Sequence, residues 1–280
     1  MVKIDKNSLK TIHVISFNVE HFVVKPFTPE FLQNKDILLI QEWSQVEGNT
    51  LLHTLGSHYV ANVIDRVAIV FNTKKFSSKS ITHGIKLAHQ PPTRIESLYT
   101  TGRKKLNMLS ILFPLEVNCK PIAIVNCHLS AYSPDFHPGF HKEQFTKLVT
   151  KAINIVDSKN LNCSYIIGGD TNYRNKNKIP NLLKELYPKR HNLIDVCKKS
   201  HCSKLPTQTF RCLHEKGVAK YFAKVVARGL KNSTRKTILS DNRLDLIATD
   251  LAIISKTKII DACKYSDHSA IYCVLMLTTK

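Results

Sequence analysis

Carboxylates, carboxamides and imidazoles recur in this chain at one kind of place, the ends of short apolar runs of strand length. Asn18 and Glu20 close the first such run, and Gln41-Glu42 closes the second. His128 stands near the end of the fifth, and Asp170 and Asn172 follow the sixth. Asp245 lies inside Arg243-Leu244-Asp245-Leu246-Ile247, and Ser266-Asp267-His268 precedes the last run. One carboxylate at a strand end is an ordinary turn residue. Six ends marked in this way are hard to explain as solvation, because several of the groups sit in otherwise apolar segments. Burying them is costly unless they pair with one another or hold a metal.

The densest of these places is Tyr165-Ile166-Ile167-Gly168-Gly169-Asp170-Thr171-Asn172-Tyr173-Arg174. An apolar run stopped by Gly-Gly predicts a buried strand ending in a tight turn. Residues past the carboxyl end of such a strand face a pocket. There Asp170 can accept a proton or hold a metal-bound water, and the Asn172 NH2 can donate to a phosphate oxygen. The plainer reading is a solvated strand-loop turn.

The elements that must position these groups are legible as eight runs rich in Ile, Val, Leu or Phe. They are His13–Val19, Asp36–Gln41, Arg66–Phe71, Asn107–Phe113, Pro121–Leu129, Ser164–Ile167, Arg243–Thr249 and Ala270–Leu277, all of strand length. Helical patterns fall at Phe140–Ser158, Ile179–Tyr187 and Glu215–Leu230. There is no repeat, low-complexity tract or Gly/Ser/Pro-rich linker. The expectation is one domain over residues 1–280, with strands gathered into sheets covered by helices.

At 280 residues and 43% hydrophobic, the composition is globular and ample for a dense core. No apolar stretch approaches the ~20 residues of a membrane span. Residues 1–11 carry Lys3, Asp5, Lys6 and Lys10 and no apolar signal core, so an intracellular protein of cytoplasm or nucleus is expected. The net charge of +20 and a pI near 9.6 attract polyanions: nucleic acid first, then phosphoinositide head groups or anionic membrane. Cys119, Cys127, Cys163 and Cys273 lie in or beside apolar runs, as reduced thiols do. Cys197, His201, Cys202, Cys212 and His214 cluster in sequence, but their spacing matches no standard zinc finger.

Six motifs, Ser16-Phe17-Asn18-Val19-Glu20, Ile40-Gln41-Glu42, Asn126-Cys127-His128-Leu129, Gly169-Asp170-Thr171-Asn172, Arg243-Leu244-Asp245 and Ser266-Asp267-His268, occur in that order and span residues 16 to 268. The set resembles the endonuclease/exonuclease/phosphatase superfamily, which includes pancreatic-type deoxyribonuclease, abasic-site endonucleases, neutral sphingomyelinases and inositol polyphosphate 5-phosphatases. The resemblance implies a four-layer α/β sandwich, in which two mixed sheets pack face to face with helices outside. It also implies Mg²⁺-dependent phosphoester hydrolysis, with Mn²⁺ able to substitute. Glu42 would then be the principal metal ligand, with Asn18, Glu20 and Asp267 completing the environment directly or through water. Asp170 would position and deprotonate the attacking water, helped by Asn172. His268 would bear on the phosphoryl oxygens with Asp245 fixing its tautomer, and His128 would supply another donor. The plainer alternatives are a core histidine for His128, an ion pair with Arg243 for Asp245 and a turn for Asp267-His268.

Substrate signals are mixed. Gly168–Asn172 looks most like the turn of 5′-tyrosyl-DNA phosphodiesterases, whereas Asp170-Thr171-Asn172-Tyr173-Arg174 and Pro206-Thr207-Gln208-Thr209-Phe210 resemble inositol polyphosphate 5-phosphatases. Asn242-Arg243-Leu244-Asp245-Leu246 is closer to the nuclease form. Lys216, Lys220, Lys224 and Arg228 recur every four residues, which on a helix gives a basic stripe. With Arg174 they are candidate substrate contacts, a phosphate rail or an anionic-membrane face, the plainer reading being a solvated helix. Thr101-Gly102-Arg103-Lys104-Lys105 is a further basic turn. A nucleic-acid phosphodiesterase, an inositol-phosphate phosphomonoesterase and a basic binding module without catalysis all follow from these features, the first being favoured.

Overall fold

Each of the eight apolar runs forms a strand because its residues can be buried on both faces at once. The computed structural model describes residues 10–19, 30–87, 106–129, 140–172, 193–199, 245–255, 257–260, 262, 266 and 268–279. In chain order these hold β1 (Thr11–Asn18), β2 (Ile37–Gln41), α1 (Gln45–Leu55), β3 (Tyr59–Ile64), β4 (Val67–Asn72), β5 (Ile81–Lys86) and β6 (Leu106–Leu112). Then follow β7 (Ile122–His128), α2 (Phe140–Ser158), β8 (Ser164–Asp170), β9 (Ile194–Asp195), β10 (Asp245–Thr249), β11 (Ala252–Ile253), β12 (Lys258–Ile260) and β13 (Ala270–Met276). The Ile179–Tyr187 and Glu215–Leu230 helices expected from sequence lie outside the described residues. So do Glu20, Asp267, Arg174, Lys216, Lys220, Lys224, Arg228, residues 101–105 and 206–210, and His201, Cys202, Cys212 and His214.

Among the described residues the strands form two mixed sheets. The first has the order β11-β13-β1-β2-β4-β3, with β12 also on β13; the second runs β5-β6-β7-β8-β10-β9. Alternation along each strand sorts the side chains. Ile12, Val14, Ile37, Leu39 and Ile69 of the first sheet meet Met108, Ile122, Ile124, Ile166 and Ile247 of the second in one core. The other face of the first sheet, through Ile15, Phe17, Leu38 and Ile40, packs on Trp43, Leu51 and Leu55 around α1. The other face of the second, through Val125, Tyr165 and Ile167, packs on Phe145, Leu148, Val149, Ala152 and Val156 of α2. Those α2 residues recur at helical spacing and form one apolar stripe. The result is the layered sandwich of helix, sheet, sheet and helix.

Two parallel pairs, β1 with β2 and β7 with β8, set the polarity that matters for function. The second pair is joined by α2, as a parallel connection requires. The glycines of β8 correct the sequence expectation. Gly168-Gly169 is not a tight turn; β8 continues through both residues to Asp170. The pair is needed for close approach. A Cβ at Gly168 would stand 2.5 Å from Leu39 Cδ1 across the sheet interface, and one at Gly169 would stand 2.1 Å from the Cys127 carbonyl oxygen. Gly169 also has φ +119°, which disfavours any side chain.

The strands β3, β5, β9, β11 and β12 and helix α1 carry no clear sequence signal. β3 and β5 are outer strands with Asn62 and His83-Gly84 in mid-run. In α1, Gly48 interrupts the helical pattern because the Trp43 ring lies against it, 1.9 Å from where a Cβ would be. Cys119, Cys127, Cys163, Cys197 and Cys273 are buried and form no disulfide. Cys197 is packed into the core between the sheets.

Gly169→Ala is expected to destabilise the fold by about 3 kcal/mol or more, since backbone strain and overlap with Cys127 add. Gly56→Ala is the control: φ is +98° there, but the nearest atoms are in the His58 ring at 3.4 Å, and a cost of about 1 kcal/mol is expected. Urea-unfolding midpoints of the two variants check the difference; equal losses would show that φ alone matters.

Candidate active site

Strand register brings the marked residues to one edge of the sandwich. In the first sheet Asn18 pairs with Gln41 at the carboxyl ends of β1 and β2, and Glu42 follows. In the second, Asp170 at the end of β8 has His128 of β7 on one side and Asp245 of antiparallel β10 on the other. β13 runs antiparallel to β1, so its beginning, just after His268, lies near the end of β1. Six separated segments thereby meet.

Below them a polar seam ties the sheets together. Asn126 Nδ2 donates to the carbonyls of Ile40 and Ala68 at 2.9 and 2.8 Å, and Asn126 Oδ1 accepts from Gln41 Nε2 at 2.7 Å. Gln41 Nε2 also donates to the Leu39 carbonyl at 3.0 Å. Both carboxamides are fully buried; Asn126 uses both its oxygen and its NH2, while Gln41 Oε1 has no hydrogen-bond partner among the described residues, and such buried polar pairing fixes a unique register.

Asp170 is the centre. Its side chain is nearly sealed from water, with the residue 2% exposed. Oδ2 accepts from Asn18 Nδ2 at 3.2 Å, and Oδ1 accepts the Asn172 backbone N–H at 2.9 Å. His128 Nε2 and His268 Nε2 lie 3.8 and 3.9 Å from Oδ2. Burial pushes the carboxyl up to about 7; the nearby His268 pulls it down, Asp245 raises it, the Asn172 N–H lowers it and Glu42 raises it. A carboxyl near 7 can exchange a proton with water at neutral pH, as a general base must.

His268 is held by Asp245: its Nδ1 lies 2.8 Å from Asp245 Oδ2, with both side chains buried. With Nδ1 held by Asp245, the other ring nitrogen, Nε2, is turned toward Asp170. Asp245 therefore pairs with an imidazole. The His268 backbone N–H donates to Ser266 Oγ at 3.0 Å, which fixes the approach to β13. Asn172 has a left-handed backbone, φ 49°, and its Nδ2 donates to the Leu129 carbonyl at 2.9 Å. One hydrogen of this NH2 thus ties the ends of β7 and β8 together, and the Asn172 backbone N–H separately holds Asp170.

Glu42 is the most open of the three described acids, its side chain 22% exposed. Its φ of 62° is uncommon for a residue with a long side chain. Oε1 accepts from Asn18 Nδ2 at 3.3 Å and lies 3.7 Å from His128 Nε2, while Oε2 lies 3.4 Å from Arg66 Nη2. Gln41, Asn126 and Arg66 had no role in the sequence reading. The first two carried the same signal as the others, polar groups inside apolar runs; Arg66 carried none.

Among the described residues no three His, Cys, Asp or Glu side chains form a ready metal cage. The donor set nonetheless suits a hard divalent cation. The Asn18 NH2 donates to both Glu42 and Asp170, so the two acids converge on one amide. A cation that keeps most of its waters and takes one or two protein oxygens fits there.

Against solved structures, the chain aligns with D. rerio TDP2 complexed with single-strand DNA product at TM-score 0.57 and 13% identity, over 95% of this chain and 98% of that one. Human Nocturnin's catalytic domain, with bound sulfate, aligns at TM-score 0.59 and 17% identity, over 96% and 95%. This is the endonuclease/exonuclease/phosphatase fold. A protein of that description from Bacteroides vulgatus aligns at TM-score 0.58 and 14% identity, over 96% of this chain and 99% of its own. No protein-family model matches the sequence, and neither does any curated protein. Within the endonuclease/exonuclease/phosphatase fold, the converged strand ends lie at the carboxyl ends of the parallel pairs, where α/β sheets present their ligand-binding crevices.

In EDTA, the Asp170 carboxyl sets a stability slope. Its folded value, about 7, exceeds the unfolded value near 3.8, so the folded state holds the extra proton between those limits and loses stability as pH rises through them. Asp170→Asn removes that loss. Its stability relative to the parent is expected to climb by a few kcal/mol from about pH 4 to 7 and level off above, at about 1.4 kcal/mol per pKa unit. Chemical unfolding across that range checks it; a difference independent of pH would contradict the raised carboxyl.

Proposed function

We propose that this chain is a Mg²⁺-dependent phosphodiesterase acting on nucleic acid, in the backbone or at a modified 5′ end. The observation that carries the reading is the buried Asp170, raised to about 7 and flanked by two imidazoles, one of them fixed by Asp245. Asp170 orients a water and takes its proton. His268 donates from Nε2 to the phosphoryl oxygens as negative charge builds there, and the Asp245 carboxylate stabilises the imidazolium. His128, within 4 Å of both acids, supplies a second donor. Asn172 keeps Asp170 oriented through its backbone N–H. Glu42 and Asn18 would hold the cation, with Glu20 and Asp267 as further candidates; when bound, it neutralises the phosphate and polarises its oxygen.

Nucleic acid is favoured by the net charge of +20 and by likeness to the fold of a TDP2 complexed with single-strand DNA product. The candidate contacts Arg174, Lys216, Lys220, Lys224 and Arg228 belong to this reading. The second reading, an inositol-phosphate phosphomonoesterase using an anionic membrane face, rests on the Tyr173-Arg174 continuation after Asn172. Among the described residues no helix is long and apolar enough to cross a membrane. We place the protein in cytoplasm or nucleus as one domain.

The deciding assay offers a 5′-tyrosyl oligonucleotide, an abasic duplex, single- and double-stranded DNA and RNA, and inositol polyphosphates. Cleavage of a nucleic acid is expected with Mg²⁺ and none with EDTA. Asp170→Asn and His268→Ala should each lower the rate about 100-fold or more, with binding of the oligonucleotide retained. Phosphate release from the inositol series alone would make the second reading correct, and binding without any hydrolysis would leave a binding module.

A further inference from the structure

Arg66 sits on the two-residue turn between β3 and β4, where Ile64 pairs with Val67 and Asp65 has φ 54°. Its carbonyl accepts the Trp43 N–H at 2.9 Å, and its Nη2 lies 3.4 Å from Glu42 Oε2. One turn thus holds the Glu42 segment through backbone and side chain together. The ion pair is open to water, with side chains 39% and 22% exposed. It is also a single long contact, unlike the two-pronged pairing by which guanidinium and carboxylate lock together. Arg66 Nε is buried with no hydrogen-bond partner among the described residues. Glu42's other oxygen is engaged separately, by Asn18 Nδ2 at 3.3 Å and near His128 Nε2 at 3.7 Å.

We propose that Arg66 is a resident counter-charge for Glu42 that competes with the divalent cation and so sets how tightly the site loads. The proposal rests on the reading that Glu42 holds the cation. Without metal, Glu42 and Asp170 are neighbouring acids sharing one amide, and the guanidinium is a fixed positive charge beside Glu42. A cation arriving at Glu42 meets that charge and must displace or share it. A bidentate pair would seal the site; one long, hydrated contact yields, so Arg66 tunes loading without preventing it. The competition is screened by salt because the pair is exposed.

The test is Mn²⁺ titration at low ionic strength, followed by calorimetry or by the electron paramagnetic resonance of free Mn²⁺, without substrate. Arg66→Gln keeps an N–H donor for Glu42 but removes the charge. It is expected to bind Mn²⁺ about two- to fivefold tighter than the parent, and the gain should shrink in roughly 0.5 M salt. Arg66→Lys keeps the charge and should match the parent. Glu42→Gln should lose the binding. If Glu42→Gln loses it while Arg66→Gln binds equally or more weakly, the competition is overturned and Glu42 stands as the ligand. If Glu42→Gln binds like the parent, the assignment of the cation to Glu42 fails and the Arg66 proposal with it. Thermal unfolding of Arg66→Gln and Arg66→Lys in EDTA confirms that each compared protein is folded.

Discussion

A carboxyl group almost wholly removed from water, Asp170, is the constraint to which the rest of the site answers. An isolated charge in that position would cost far more than a domain's net stability, so it must share its proton or find partners. It does both. Burial raises its proton affinity into the neutral range, and an amide, a backbone N–H and two imidazoles surround it. Asp245 makes the problem harder, because it faces Asp170 directly across the β8–β10 pair, and like charges so placed repel. His268, bonded to one acid and near the other, is what makes that pairing tolerable. The groups that stabilise Asp170 are also the groups able to move its proton.

Holding this arrangement requires the two sheets to meet without play. The Gly168 side of β8 has no room for a methyl group against Leu39, and the Gly169 side has none against β7. Immediately beneath, Asn126 reaches from the second sheet to the carbonyls of β2 and β4, and Gln41 reaches back. A slip of one residue in either sheet would reverse every side chain along the strand. It would break this seam and carry the acids away from the edge. The backbones of Glu42 and Asn172, both at positive φ, lie just beyond the seam. Backbone strain of that kind persists where the surrounding structure dictates the conformation.

Most of this was legible in the sequence where burial on two faces leaves a continuous apolar run. β1, β2, β4, β6, β7, β8, β10 and β13 all read that way, and α2 showed its stripe from Phe140 to Ser158 with no residue in error. The outer strands were not legible, because β3 and β5 bury only part of their surface and tolerate Asn62 and Gly84. α1 was hidden by Gly48, whose reason is a tertiary contact with Trp43. Gly168-Gly169 misled because glycine marks close approach as well as turns, and only the neighbouring strand distinguishes the two. At the site, residue types announced Asn18, Glu42, His128, Asp170, Asp245 and His268. They could not announce Arg66, which comes to Glu42 only through the β2–β4 pairing and the hairpin beyond it.

The charge of the whole chain and the charge of the site have opposite signs, and this bears on what can bind. A net +20 draws a polyanion from a distance. At the floor of the edge, Glu42, Asp170 and Asp245 are three acids, beside two imidazoles and the partly exposed guanidinium of Arg66. A phosphate drawn in by the surface would meet carboxylate oxygens unless positive charge were added there. On the proposed reading the site would take up a cation before an anion, and the steering charge could not substitute for that cation because it acts over the surface and not at Glu42. The two fields would then act together: long-range attraction would concentrate a phosphoester substrate, and local acidity would let it bind productively only where a cation was already held.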